Sequence, residues 1–130
     1  MSQDRSQDSS RDSSRDRRVT WDTYASAWRH PDPSAKQAAL HASVAPSAHY
    51  RDPQTHAVGH QALLEVLLAF HQQVPGGHFE TTHFWAHHDR SVSRWKMRDG
   101  QGAELGEGIS YGEYDAQGKL IAMTGFFDVP

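Results

Sequence analysis

The sequence predicts an α+β domain with an internal pocket, and three observations carry that expectation. Apolar residues recur at helical spacing through the first half of the chain and with a period of two through the second. Helices followed by a run of antiparallel strands mark an α+β fold, as opposed to alternating βα units. Gly106, Gly108 and Gly112 fall inside one predicted strand, where they imply bends or bulges that curve the sheet. A curved sheet lidded by helices encloses an apolar space.

The elements follow in order. Residues 1–18, MSQDRSQDSSRDSSRDRR, hold no apolar residue after Met1 and repeat short Ser/Arg/Asp units. Such a stretch cannot bury enough surface to offset chain entropy and reads as a disordered tail, with the folded domain occupying 19–130. Trp21, Tyr24, Ala25 and Trp28 then share one helical face, with Thr20 as the expected N-cap. Ser34 is the expected cap of a second helix through AKQAALHASVA, stopped by Pro46. AHYRDP reads as a short strand closed by Pro53. Gly59 precedes a third helix with a wide stripe of Leu63, Leu64, Leu67, Leu68 and Phe70, ended by VPGG. Four strands complete the chain: HFETTHFWAHHD, SVSRWKMR, AELGEGISYGEYD and KLIAMTGFFDV, separated by DR, DGQG and AQG turns.

Composition excludes several classes of function. The tail's four Asp and five Arg nearly cancel, and the rest carries eight Lys and Arg against twelve Asp and Glu. A mildly acidic body disfavours a nucleic-acid backbone binder. No cysteine is present, so neither a disulfide framework nor thiol chemistry is available. No apolar run reaches membrane-spanning length, and the tail fits neither a signal nor a transit peptide. A soluble, cytoplasmic protein is the expectation, with no nucleic-acid or membrane partner. A phosphorylatable or partner-binding role for the Ser/Arg/Asp tail is a lesser alternative.

YRDP followed closely by GHQAL, a strand ending in RWKM, and the closing GISYGEYDAQGKLIAMTGFFD resemble the SnoaL-like and ketosteroid-isomerase-like proteins of the nuclear transport factor 2 superfamily. The likeness covers residues 20 to 130. It implies a cone, with a curved mixed sheet wrapped around three helices and a mostly apolar cavity open at one end. It also implies a homodimer through the outer sheet face. The superfamily holds isomerases, cyclases, dehydratases, epoxide hydrolases and non-catalytic modules, so fold alone does not choose an activity.

The resemblance makes Asp52 the general base and Tyr24 an oxyanion hydrogen-bond donor. The family's second donor, an acid, falls on Ser110, and a supporting tyrosine falls on Leu67; both departures argue against steroid isomerase activity itself. Read from the residues, general-base work on a carbon acid needs a carboxylate in a partly apolar pocket. Tyr50, Pro53 and the leucines of the third helix supply such surroundings for Asp52. The competing role is structural, because Asp before Pro ends a strand and turns the chain by binding nearby backbone N–H groups. Trp28 shares the face of Tyr24 and is expected at the pocket wall or in the core. Trp95 and Met97 alternate on one strand and Ile121, Met123 and Phe127 on the last, and by comparison with the family they face the cavity.

The ten histidines include two pairs four residues apart, His56 with His60 and His83 with His87. That spacing serves a metal on a helix, whereas the second pair lies in a strand and His56 in a predicted loop, so no metal site is expected. His49, His56 or His83 could instead shuttle a proton beside Asp52. Arg51 points away from Asp52, to solvent. The glycines of GAELGEG lie within a strand and form no phosphate loop, and no serine sits at a nucleophile elbow. The expectation is an enzyme of isomerase, cyclase or dehydratase type, working without a cofactor on a small hydrophobic carbonyl-bearing molecule. Asp52, Tyr24 and Ser110 would do the chemistry, with Trp28, His56, Leu67, Trp95, Met97, Met123 and Phe127 around the substrate. The alternative is a non-catalytic module that binds a hydrophobic ligand or dimerises.

Overall fold

A computed structural model describes the backbone of residues 2–129 and the side chains of 14–129. Three helices, α1 (Ser2–Arg29), α2 (Pro33–Ser43) and α3 (Gly59–Gln73), accompany six strands. These are β1 (Val44–Asp52), β2 (Thr55–Val58), β3 (His78–His87), β4 (Arg90–Arg98), β5 (Glu104–Tyr114) and β6 (Leu120–Phe126). The sheet order is β2-β1-β6-β5-β4-β3, antiparallel throughout except for the parallel β1–β6 pair. Register shifts on β3, at the end of β4 and at the end of β5 bend the sheet around the helices. The result is the α+β cone that the sequence predicts, a mixed and unclosed sheet.

Several boundaries differ from expectation. Thr20 caps nothing, because α1 continues through it, and residues 17 and 18 have partners on the sheet side. Arg17 Nε donates to the His88 carbonyl at 3.1 Å and its guanidinium lies 4.9 Å from the Tyr114 ring centre. Arg18 lies 5.3 Å over Phe84 and pairs with Asp22 one turn on. The segment expected to be a disordered tail is instead helical backbone from Ser2, continuous with α1, and it meets the domain through Arg17 and Arg18, while the side chains of 1–13 fall outside the described residues. In α2, Pro33 takes the first turn after Asp32, where its missing N–H costs nothing, and Ser34 Oγ donates to Asp32 Oδ2 at 2.6 Å. That helix ends at Ser43, before Pro46, because Val44 is already extended and opens β1. The segment after Pro53 is a strand, β2, short enough that only its pairing with β1 defines it. Gly59, at φ +89°, turns the chain from β2 into α3.

Leu40, Leu63, Leu67, Leu120 and Met123 form the centre of the core, essentially without solvent contact. Each such side chain contributes about 1.5–3 kcal/mol on burial. Lys36 is buried with them. Its Nζ donates to the carbonyls of Ala27 at 3.0 Å and Trp28 at 3.3 Å, in the last turn of α1, where the helix dipole favours a cation. Among the described residues no helix is long and apolar enough to cross a membrane.

Candidate functional site

The helices and the sheet enclose a half-open cavity of about 610 Å³. Its walls come from α1, α3, the inner sheet face and the chain end after β6. Aromatic rings form most of one side. The Trp28 ring lies 5.7 Å from Tyr50, 5.5 Å from Phe70 and 5.3 Å from Phe79. Phe79 in turn meets Trp95 edge-on at 4.9 Å. Such contacts favour rigid, well-defined walls for a flat apolar molecule.

Polar groups converge at the floor. Asp52, half-buried at the end of β1, accepts the Tyr50 hydroxyl proton on Oδ2 at 2.5 Å and the Gln54 backbone N–H on Oδ1 at 2.8 Å. The second bond is an Asx turn that leads β1 into β2. Asp52 therefore turns the corner and faces the cavity at once. Ser110, on β5, accepts the Trp95 indole N–H at 2.9 Å. Between the two stands Gly125 of β6, paired in register with Ser110. A Cβ at Gly125 would lie 3.6 Å from Asp52 Cβ and 3.8 Å from Ser110 Oγ. The missing side chain leaves a notch flanked by a carboxylate and a hydroxyl. Tyr24 reaches the same region from α1. Burial, opposed by its contact with the Trp28 side chain and assisted by the nearby Asp52 carboxylate, drives its phenol well above the ordinary range, so Tyr24 keeps the proton that a hydrogen-bond donor needs. Burial does the same to Tyr50, with Tyr24 and Asp52 adding to the effect.

Of the residues singled out in the sequence, Asp52, Tyr24, Ser110, Trp28, Trp95, Met97 and Phe127 line this cavity. Leu67 does not. The cavity meets α3 along Val66, Ala69, Phe70 and Gln73, while Leu67 lies on the adjoining stripe with Leu63 and is fully buried in the core. Met123 pairs in register with Tyr50 and Gly112 below the cavity floor and is likewise core. Ile121, at the start of β6, is exposed. His56 is on the outer face at the edge of β2, 3.3 Å from His49, and it does not line the cavity. Inward Tyr50 and Asp52 put His49 outward by strand alternation, and His83 is exposed on β3, so none of the three is placed to shuttle a proton to Asp52. His60 turns instead to the Val44 carbonyl at 2.7 Å. Among the described residues no cluster of three or more His, Asp or Glu could hold a metal ion.

The sequence reading missed Gly125, Phe70 and Phe79 as wall residues and treated Tyr50 only as surroundings. A glycine inside the otherwise bulky MTGFF run was the available signal, since such a glycine marks a close approach or an opening.

A SnoaL-like domain profile matches residues 21–123. The chain belongs to the SnoaL-like domain family. Among solved structures, this SnoaL-like chain is similar to a protein assigned as an isomerase of the same family from Agrobacterium tumefaciens, with a TM-score of 0.81 and 21% identity over 88% of this chain and 98% of that one. It is similar to a protein assigned as a SnoaL-like polyketide cyclase from Jannaschia, with a TM-score of 0.73 and 12% identity over 88% and 87% of the two chains. TerC, co-crystallised with polyporic acid, superposes with a TM-score of 0.71 and 16% identity over 87% and 92%. At these identities the likeness speaks for the fold. A sequence search of curated proteins returned no match.

Proposed function

We propose that this SnoaL-like protein is a cofactor-independent acid–base enzyme of isomerase, cyclase or dehydratase type, acting on a small hydrophobic carbonyl-bearing molecule. The observation that carries this reading is the side-chain-free notch at Gly125, with Asp52 on one side and Ser110 on the other, beneath an aromatic wall. The Asp52 carboxylate takes a proton from the carbon next to the carbonyl. The C–H electron pair becomes a new C=C bond and the carbonyl π pair moves onto oxygen, where Ser110 and Tyr24 donate hydrogen bonds to the growing charge. Protonated Asp52 returns the proton at another carbon. Trp28, Trp95, Met97 and Phe127 hold the flat body of the substrate. The assignments of the Agrobacterium and Jannaschia proteins and the polyporic acid ligand of TerC support this reaction and ligand class.

The protein works in this reading as a cytoplasmic homodimer. Trp85 and Phe126, 53% and 59% exposed on the outer sheet face, support pairing through that face. A second reading, a ligand-binding module without turnover, is favoured by one feature: both Asp52 oxygens already accept hydrogen bonds, one of them from the turn it caps. Binding of an ionised phenol, an enolate mimic, to wild type and to Asp52→Asn separates the two. Tighter binding by the variant places an anion beside Asp52 and supports the enzyme. An affinity that ignores the substitution, together with a lower Tm, supports the turn residue.

A further inference from the structure

We propose that Trp95 is a positioning residue that makes Ser110 a dedicated hydrogen-bond donor to an acceptor oxygen of the ligand, and so selects ligands carrying a carbonyl at that point. The inference rests on the acid–base reading for the identity of the site, while its own evidence is separate.

It begins with the pairing of Trp95 and Gly108, which face each other directly across β4 and β5. A Cβ on Gly108 would fall 2.4 Å from one atom of the Trp95 ring and 2.6 Å from another. The glycine is therefore the bed on which the indole lies across β5. Lying there, the ring delivers its Nε1–H to Ser110, two residues further along the same strand, at 2.9 Å. Phe79 at 4.9 Å and Phe127 at 6.0 Å, both at steep interplanar angles, hold the indole from its other sides. The orientation is over-determined by packing.

The chemical consequence follows from what each group is able to do. An indole N–H only donates, so Ser110 Oγ must be the acceptor in this bond. Its own proton is left to point elsewhere. Ser93, opposite Ser110 in the β4–β5 register, is buried and its Oγ has no hydrogen-bond partner among the described residues, so the Ser110 proton is not spent there. The direction that remains is the notch above Gly125, which Ser110 Oγ borders. Donation from Trp95 also polarises the Ser110 O–H and strengthens the bond it makes next. A serine of free rotation would accept or donate with equal ease. Here it is biased to donate, standing where the resemblance leads one to expect an acid.

The test uses two flat probes of one shape, naphthalene and 1,4-naphthoquinone, titrated against the full chain. Neither probe carries an acidic proton, so failure of Asp52 as a base leaves this result unaffected. The expected outcome is that Trp95→Phe, which keeps an aromatic ring but loses the N–H and part of the wall, weakens naphthoquinone by about fivefold or more beyond whatever it costs naphthalene, the loss of one neutral hydrogen bond. Ser110→Ala should give a similar loss, and the double variant should lose little more than either single one. Equal losses for both probes would show that Trp95 is only a wall. Fully additive losses, or a wild type that binds the quinone no more tightly than the hydrocarbon, would likewise overturn the proposal. In a ligand-free check, the Trp95 indole proton resonance should move upfield in Ser110→Ala; an unmoved resonance contradicts the bond itself.

Discussion

The inner and outer faces of the one sheet are built from the same strands and share almost nothing in chemistry. On the inner face of β5, Gly108 and Gly112 leave room for the rings of Trp95 from β4 and Trp21 from α1, and Gly106 and Ser110 border the cavity. Ile109, Tyr111 and Glu113, alternating with them, belong to the outer face, while Glu107 still borders the cavity. There, ion pairs such as Arg98 with Glu80 at 2.9 Å and Lys96 with Glu104 at 3.1 Å cross between strands. Exposed pairs of this kind contribute about 0–1 kcal/mol each. The lesson is that small residues, more than large ones, define the functional side of this sheet. The bulk of the cavity wall is supplied from opposite, and the strands make space for it.

The inner side itself divides into a packed core and a hollow cavity, and Leu67 tests that division. As a core residue it should cost about 2–5 kcal/mol on Leu67→Ala, read by chemical denaturation, while ligand affinity of the folded fraction stays near wild type. Were Leu67 a cavity residue, as the sequence alone suggests, stability would fall little and affinity would fall much.

Lys36 is the cation that sits inside rather than out, and it sharpens the contrast through pH. Burial brings its amine down from the ordinary 10.5 to about 8, while the two α1 carbonyls it binds pull the other way. A folded-state value below the unfolded one means that unfolding takes up a proton between those limits. Stability attributable to Lys36 should therefore rise with pH from about 8 to 10.5, by at most about 3 kcal/mol, with the burial cost present in full below that window. Unfolding free energies of wild type and Lys36→Met across the window check this, with the difference between them changing in that direction.

The outer face should show the smallest effect on the single chain. Phe126→Ser is expected to change stability by no more than about 0.5 kcal/mol. Its consequence should appear in association, as a shift toward monomer by sedimentation at fixed concentration. A large loss of monomer stability would mean that this face is packed in a way the fold does not show.

Much of this architecture is legible in the sequence. Helical spacing locates α3 and the last turns of α1 from Trp21 onward, though not the start of α1 at Ser2, and alternation with turn residues locates β3 to β6. What escapes is set by partners distant in the chain. β2 is four residues long and becomes a strand only by pairing with β1, which is why His56 reads as a loop residue. Arg17 and Arg18 look like tail until β3 and β5 bring Phe84 and Tyr114 beneath them. The site shows the same limit. Asp52 and Ser110 are separately recognisable, but their approach across Gly125 depends on β6 running between β1 and β5. Leu67 and Val66 differ by one step of helical phase, and that phase is fixed by packing against the sheet.

The most direct test of the site is the affinity of 4-nitrophenolate, at a pH where it is fully ionised, for wild type and for Asp52→Asn. If Asp52 and Ser110 flank a real ligand notch, removing the carboxylate's charge should tighten binding about tenfold or more, as expected when a repulsion of roughly 1.4 kcal/mol is lifted. Equal affinities, or no binding by either protein, would contradict the account and leave Asp52 as the residue that turns β1 into β2.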